Sequence, residues 1–354
     1  METPTVRPAN HDTLFTRWYT DAEGNSGYDL VTVDRAGDSL ALYLQWTTGD
    51  NPHLRLWGPT TGTNRTTHKR LWRFDRLRMQ DPGEIFESAA DVTAQGANTL
   101  IRGFTMVKTV DTPDSMAWQQ AWNYVKRTGA NDTLAIVRKV LARRGQPYFV
   151  VRYQFTWLGG ADSVRFIWSN HPRMGLGGSR HDVGFAPGFG LVTGQRRFDA
   201  KDLTWAAVML DIGNPLATDV DTLADGTSSF MSTDLKVDMG SGLPRFAGAF
   251  ICFNPGADIV PLEFAWMDST GDGEPSLDYH SPVIAVDTTR VLDGGSRMLL
   301  ARTAPVGFAA GETKALEFAV GRASVADDGL PPILPEVVWS DGSISRWPTT
   351  HREP

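Results

Sequence analysis

Trp118 to Leu158, WQQAWNYVKRTGANDTLAIVRKVLARRGQPYFVVRYQFTWL, reads as three strands joined by two polar turns, TGAND and RRGQ. Apolar and polar residues alternate along these runs, the pattern of strands that bury one face. A further turn, GGAD, leads to a fourth strand at Ser163 to Ser169 that extends the meander. The first of these runs, within SMAWQQAWNYVKR, also permits a helix, because Ala, Gln, Met and Lys are all helix formers. Its neighbours decide for a strand, since β segments on either side need pairing partners.

Upstream, Tyr28 to Val33 and Ser39 to Trp46 flank DRAGD as two strands of a tight hairpin. A loop rich in Gly, Pro, Thr and Asn covers Thr47 to Thr67, followed by strands near Leu71 to Leu77, Ile85 to Ala89 and Thr99 to Val107. Downstream, strands are expected at Leu203 to Leu210, Ser228 to Val237, Phe246 to Phe253, Ile259 to Met267, Val283 to Asp287, Arg297 to Arg302 and Lys314 to Val320. No repeat recurs at a fixed period, which argues against a propeller or solenoid. The expected fold is all-β, a large antiparallel sandwich of supersandwich type with few short helices. Residues 1–326 form its single domain, and the proline-rich tail 327–354 an extended C-terminal strap.

With 35 Gly and 21 Pro the chain has the residues that many turns require, and 12 Trp and 17 Phe supply a large core. A net charge of −7 argues against a nucleic-acid surface, which needs a clustered basic field. The basic run from Arg65 to Arg78 reads as a solvated face of an alternating strand. The single Cys252 excludes an internal disulfide and a CxxC motif, and in FAGAFICFN it reads as a buried structural thiol. METPTVRPANHD lacks the pattern of a secretory signal, and no apolar run approaches the roughly 18 residues of a membrane span.

Two stretches carry a family resemblance. RKVLARRGQPYFVVRYQFTWLGG resembles a strand and turn pattern of the galactose mutarotase-like group of large antiparallel sandwiches, and APVGFAAGETKALEFAVG resembles the closing strand pair of many secreted sandwich proteins. The resemblance spans Leu134 to Gly321 and includes no family-specific catalytic signature. It implies a carbohydrate ligand on the concave face of a broad sheet, and a histidine and a carboxylate as acid and base. Separately, an extracellular or periplasmic location and no organic cofactor are expected.

The richest candidate segment is NHPRMGLGGSRHDVGFAPGFGLVTGQ, Asn170 to Gln195, read as a long ordered loop. His171 and His181 are proton-transfer candidates because imidazole titrates near neutral pH, and Arg173 and Arg180 are anion forks, with Asp182 beside them. His53 and Arg55 lie in the loop after Trp46, and Trp46, Trp57 and Trp168 are sugar-stacking candidates. Glu263, among apolar neighbours that would raise its pKa, is the candidate partner carboxylate. In DSTGDGEPSLD, oxygens at Asp268, Thr270 and Asp272 precede Gly273 at the spacing of a calcium loop, with Glu274 and Asp278 as further ligands. This segment resembles the calcium loops of integrin-type repeats, with Ser276 where a third aspartate stands in those loops. The nucleophile elbow, P-loop and H-E-x-x-H motifs are absent.

Two readings follow. One is a carbohydrate-active enzyme, an epimerase, lyase or hydrolase, acting on a sugar or oligosaccharide, acidic or neutral. The other is a non-catalytic carbohydrate-binding or structural surface protein with a calcium-stabilised loop. Oligomeric state is open on sequence alone.

Overall fold

The computed structural model describes residues 13–20, 26–33, 39–46, 54–60, 70–81, 84–87, 99–126, 133–158, 164–171, 182–186, 190–192, 198–201, 205–211, 246–259, 261–268, 277–278, 285–286, 297–303, 306–325 and 332–347. These hold strands and turns and no helix. In chain order they are β1 (Thr13–Thr20), β2 (Ser26–Val33), β3 (Ser39–Trp46), β4 (Leu54–Thr60), β5 (Arg70–Asp81), β6 (Glu84–Glu87), β7 (Thr99–Asp111), β8 (Ser115–Lys126), β9 (Thr133–Arg143), β10 (Tyr148–Trp157), β11 (Val164–His171), β12 (Asp182–Ala186) and β13 (Gly190–Val192). There follow β14 (Phe198–Lys201), β15 (Trp205–Asp211), β16 (Phe246–Phe253), β17 (Pro261–Asp268), β18 (Leu277–Asp278), β19 (Ala285–Val286), β20 (Arg297–Thr303), β21 (Val306–Phe308), β22 (Thr313–Val325), β23 (Pro332–Ile333), β24 (Val337–Val338) and β25 (Ile344–Ser345).

Two large antiparallel sheets form the body. The first runs β1-β2-β3-β4-β5-β11-β20-β17-β14, and the second runs β13-β12-β15-β16-β22-β10-β9-β8-β7. SMAWQQAWNYVK is a strand, β8, paired along its length with β7 and β9. The helix-forming residues are overruled because the pairing positions on both sides are filled. Gly145, at φ 72, makes the β9 to β10 turn that RRGQ predicts.

Three expectations are corrected. The loop Thr47 to Thr67 contains β4, paired with β3 and β5. The glycine-rich stretch Asn170 to Gln195 contains β12 and β13, which pair with each other. The meander ends at β10, because β11 crosses to the other sheet and pairs with β5. The strand expected at Ser228 to Val237 lies outside the described residues.

The core lies between the sheets. Phe149, Val151, Tyr153, Phe155 and Trp157 of β10 are buried on one side, and Leu30, Leu42, Leu44 and Leu54 are buried in the facing sheet. Tyr28 of β2 stacks on Trp118 of β8 with centroids 4.5 Å apart, and Thr32 Oγ1 donates to the Gln146 carbonyl at 3.1 Å. Burying each large apolar side chain contributes roughly 2–3 kcal/mol, so this layer supplies most of the drive to fold.

The start of β10 is buried on both faces, because the C-terminal segment covers the outer one. Val337 and Trp339 pack there against Tyr148, Val150, Trp205, Phe250, Cys252 and Ala319. Arg143 donates from Nη1 to the Val338 carbonyl (2.6 Å) and from Nη2 to the Trp339 carbonyl (3.2 Å), while the Tyr148 hydroxyl accepts from Val338 N–H (3.0 Å). Gly321 faces Tyr148 at a contact so close that a Cβ would collide with the Pro147 carbonyl and the Tyr148 backbone. Cys252 is fully buried, and desolvation pushes its thiol well above the usual range, so it stays a neutral packing group.

Candidate functional site

Alternation fixes which residues share a face, and register fixes which become neighbours. On the face of the first sheet turned away from the second, the register aligns one residue from each of six consecutive strands. Arg17 pairs with Asp29, Asp29 with Tyr43, Tyr43 with Arg55, Arg55 with Arg73, and Arg73 with His171. A second row lies one step along: Arg76 pairs with Ser169, Ser169 with Arg302, Arg302 with Glu263, and Glu263 with Lys201. Ser169 and His171 are two apart on β11 and therefore share a face. A register shift between Ser169 and Asn170 keeps Arg73 and Arg76 on that face too.

The rows combine imidazole, phenol, hydroxyl, carboxylate and guanidinium groups, and cations outnumber carboxylates in a chain whose net charge is −7. At the β1 to β3 end, Arg17 Nε donates to Asp29 Oδ2 at 3.1 Å, with the Asp29 side chain 0% and that of Arg17 23% exposed. Asp29 and Tyr43 are fully buried. A paired, desolvated carboxylate of this kind positions its arginine.

His171 ends β11 in the first row and Glu263 lies on β17 in the second, with β20 between their strands. Strand spacing puts their backbones roughly 12 Å apart. Arg55 and Trp57 both lie on β4, two residues apart and so on the same side as His171. Trp168, opposite Leu77, lies on the other face of β11. Trp46 also takes the opposite face, where its ring meets Phe104 edge-on at 5.6 Å and is 40% exposed. Asp182 opens β12 and pairs with Leu210 in the second sheet, so the two ends of the glycine-rich stretch enter different sheets. His53, Arg173, Arg180 and His181 lie outside the described residues.

Of the calcium-loop residues, Asp268 ends β17 opposite Arg297, and Asp278 lies in the β18–β19 hairpin opposite Ala285. Thr270, Asp272 and Glu274 lie outside the described residues. Among the described residues no group of His, Cys, Asp and Glu is arranged to hold a metal ion, and no helix is long and apolar enough to cross a membrane.

Sequence reasoning missed Arg17, Asp29, Tyr43, Arg73 and Arg302. One signal was present: Asp29 interrupts YDLVTV, an acid in a run otherwise suited to a core strand.

No protein-family profile matches the chain, and no curated protein matches it. Solved structures similar to it include galactose 1-epimerase from Lactobacillus acidophilus, at 8% identity and TM-score 0.35, covering 88% of this chain and 99% of that one. A galactose mutarotase-like protein from Clostridium acetobutylicum is similar at 7% identity and TM-score 0.39, with the same coverages of 88% and 99%. A family 36 alpha-galactosidase from Geobacillus stearothermophilus is similar at 9% identity and TM-score 0.38, over 82% of this chain and 40% of that one. At these scores the likenesses carry no functional weight, and the case for a function rests on the chain's own residues.

Proposed function

We propose that the chain binds a carbohydrate bearing an acidic group on the outer face of its first sheet, away from the apolar cluster of Val31, Val33 and Ala41, and acts on it by acid–base chemistry. The observation that carries this is the pair of cross-strand rows, which collect His171, Glu263 and several guanidinium groups from strands distant in sequence. Because Asp29 and Tyr43 are buried, the ligand sits toward β4, β5 and β11. There Arg55 and Arg73 hold the acidic group by paired N–H donors, and Trp57 offers an apolar ring to the sugar. His171 and Glu263, on strands separated by β20, exchange protons with the ring held between them.

The test combines calorimetry with a panel of uronate-containing and neutral oligosaccharides and proton NMR of the same mixtures. His171→Ala and Glu263→Gln are expected to abolish turnover while leaving affinity within about threefold, and Arg73→Ala to weaken acidic ligands about tenfold or more, the loss of one charge-assisted pair. Binding without turnover in the unaltered protein would replace the enzyme with a binding module. Unchanged binding and turnover in all three variants would remove this face from consideration.

A further inference from the structure

In β9 the apolar phase runs Leu134, Ile136, Arg138, Val140, Ala142, and the arginine keeps its place in that phase. Arg138 is 1% exposed, inside the sandwich. Its Nε donates to Gln120 Oε1 at 2.9 Å, its Nη2 donates to the same oxygen, and its Nη1 donates to the Tyr153 hydroxyl at 3.0 Å. The rings of Trp122 and Tyr153 lie 5.2 and 5.6 Å from the guanidinium carbon. Gln120 is held in turn by Met106, whose sulfur accepts from Gln120 Nε2 at 3.6 Å.

Every one of these partners is neutral. A guanidinium carries five N–H donors and does not lose its proton, and three are engaged here, which leaves one on Nη1 and one on Nη2. No carboxylate among the described residues forms an ion pair with it. A buried cation without a counter-charge is strongly disfavoured, and rings and amides offset only part of that cost. Trp118 lies on the same face of β8, two residues from Gln120; it is 6% exposed, and its Nε1 has no hydrogen-bond partner. Lys108, over the Trp118 ring at 5.7 Å, already bonds Asp111 at 2.9 Å.

We infer that the Arg138 cluster is a binding site for a small monovalent anion of the halide class, held inside the sandwich by the free N–H groups of Arg138. Burial favours a small monovalent ion over sulfate or phosphate, whose desolvation is far more costly. This site lies within the core, apart from the outer face of the first sheet, and does not depend on the function proposed for that face.

The test is urea unfolding of the full chain at fixed ionic strength, with sodium gluconate exchanged for sodium chloride and then sodium bromide. The unaltered protein is expected to gain about tenfold in folded-to-unfolded ratio when halide reaches roughly ten times its dissociation constant, with saturation. Gln120→Glu places a carboxylate against Arg138 and is expected to remove the halide dependence while preserving the fold; Arg138→Met should remove it as well. A saturable response that persists in Gln120→Glu places the anion elsewhere and overturns the inference, as does its absence in the unaltered protein.

Discussion

Glu317 offers the sharpest test of how the C-terminal hairpin is held. Its side chain is fully buried on β22, where Oε2 accepts from Asn254 Nδ2 at 2.7 Å and Oε1 accepts from Ser340 N–H at 3.2 Å. Asn254 N–H also donates to the Glu317 carbonyl at 2.9 Å. Arg152 lies 3.7 Å from Oε2 and is 32% exposed, so its screened attraction contributes under about 1 kcal/mol. Replacing Glu317 with Gln keeps the volume and creates no cavity, but turns one acceptor into a donor that faces another donor. Loss of a charge-assisted bond together with a newly unsatisfied buried group costs roughly 2–3 kcal/mol. With an m-value of about 3 kcal/mol/M, the urea midpoint should fall by just under about 1 M, whereas Arg152→Ala should move it by about a third of that or less. Trp339 rests on the same hairpin, with its Nε1 bonded to Ser345 Oγ at 2.7 Å, so tryptophan emission reports the loss. A Glu317→Gln protein with the original midpoint would refute the claim that the carboxylate ties the hairpin to the sheet.

Tyr148 predicts a stability decline in alkali. Burial raises its phenol above the usual value, more than the Val338 N–H bond and Arg143 lower it. A raised folded value means stability that is complete below the unfolded pKa of about 10 and is lost as pH rises through the folded one. Urea titrations across that window should show the decline, and Tyr148→Phe should lessen it while costing about 1 kcal/mol at neutral pH through the orphaned Val338 N–H. The oxygen spacing of Asp268, Thr270 and Asp272 predicts that calcium raises the melting temperature and that Asp272→Ala cancels the rise; an unchanged calcium response in that variant would reject the loop.

Sequence alone determined the all-β class, several strand boundaries and the burial of Cys252. Ser39–Trp46 and Phe246–Phe253 occur as read, because period-two alternation and turn residues are local signals. It also carried a trace of two buried charges: Asp29 and Arg138 are set in otherwise apolar strand patterns. What only the tertiary structure decided is who stands beside whom. His171 stands opposite Arg73 in register because β11 leaves the meander and enters the first sheet beside β5, and Glu263 joins the next row through β20. Alternation assigns a residue to one side of its own strand and says nothing about which distant strand lies alongside. That choice is made by chain crossing and core packing, and so the cross-strand rows exist only once the sheets have assembled.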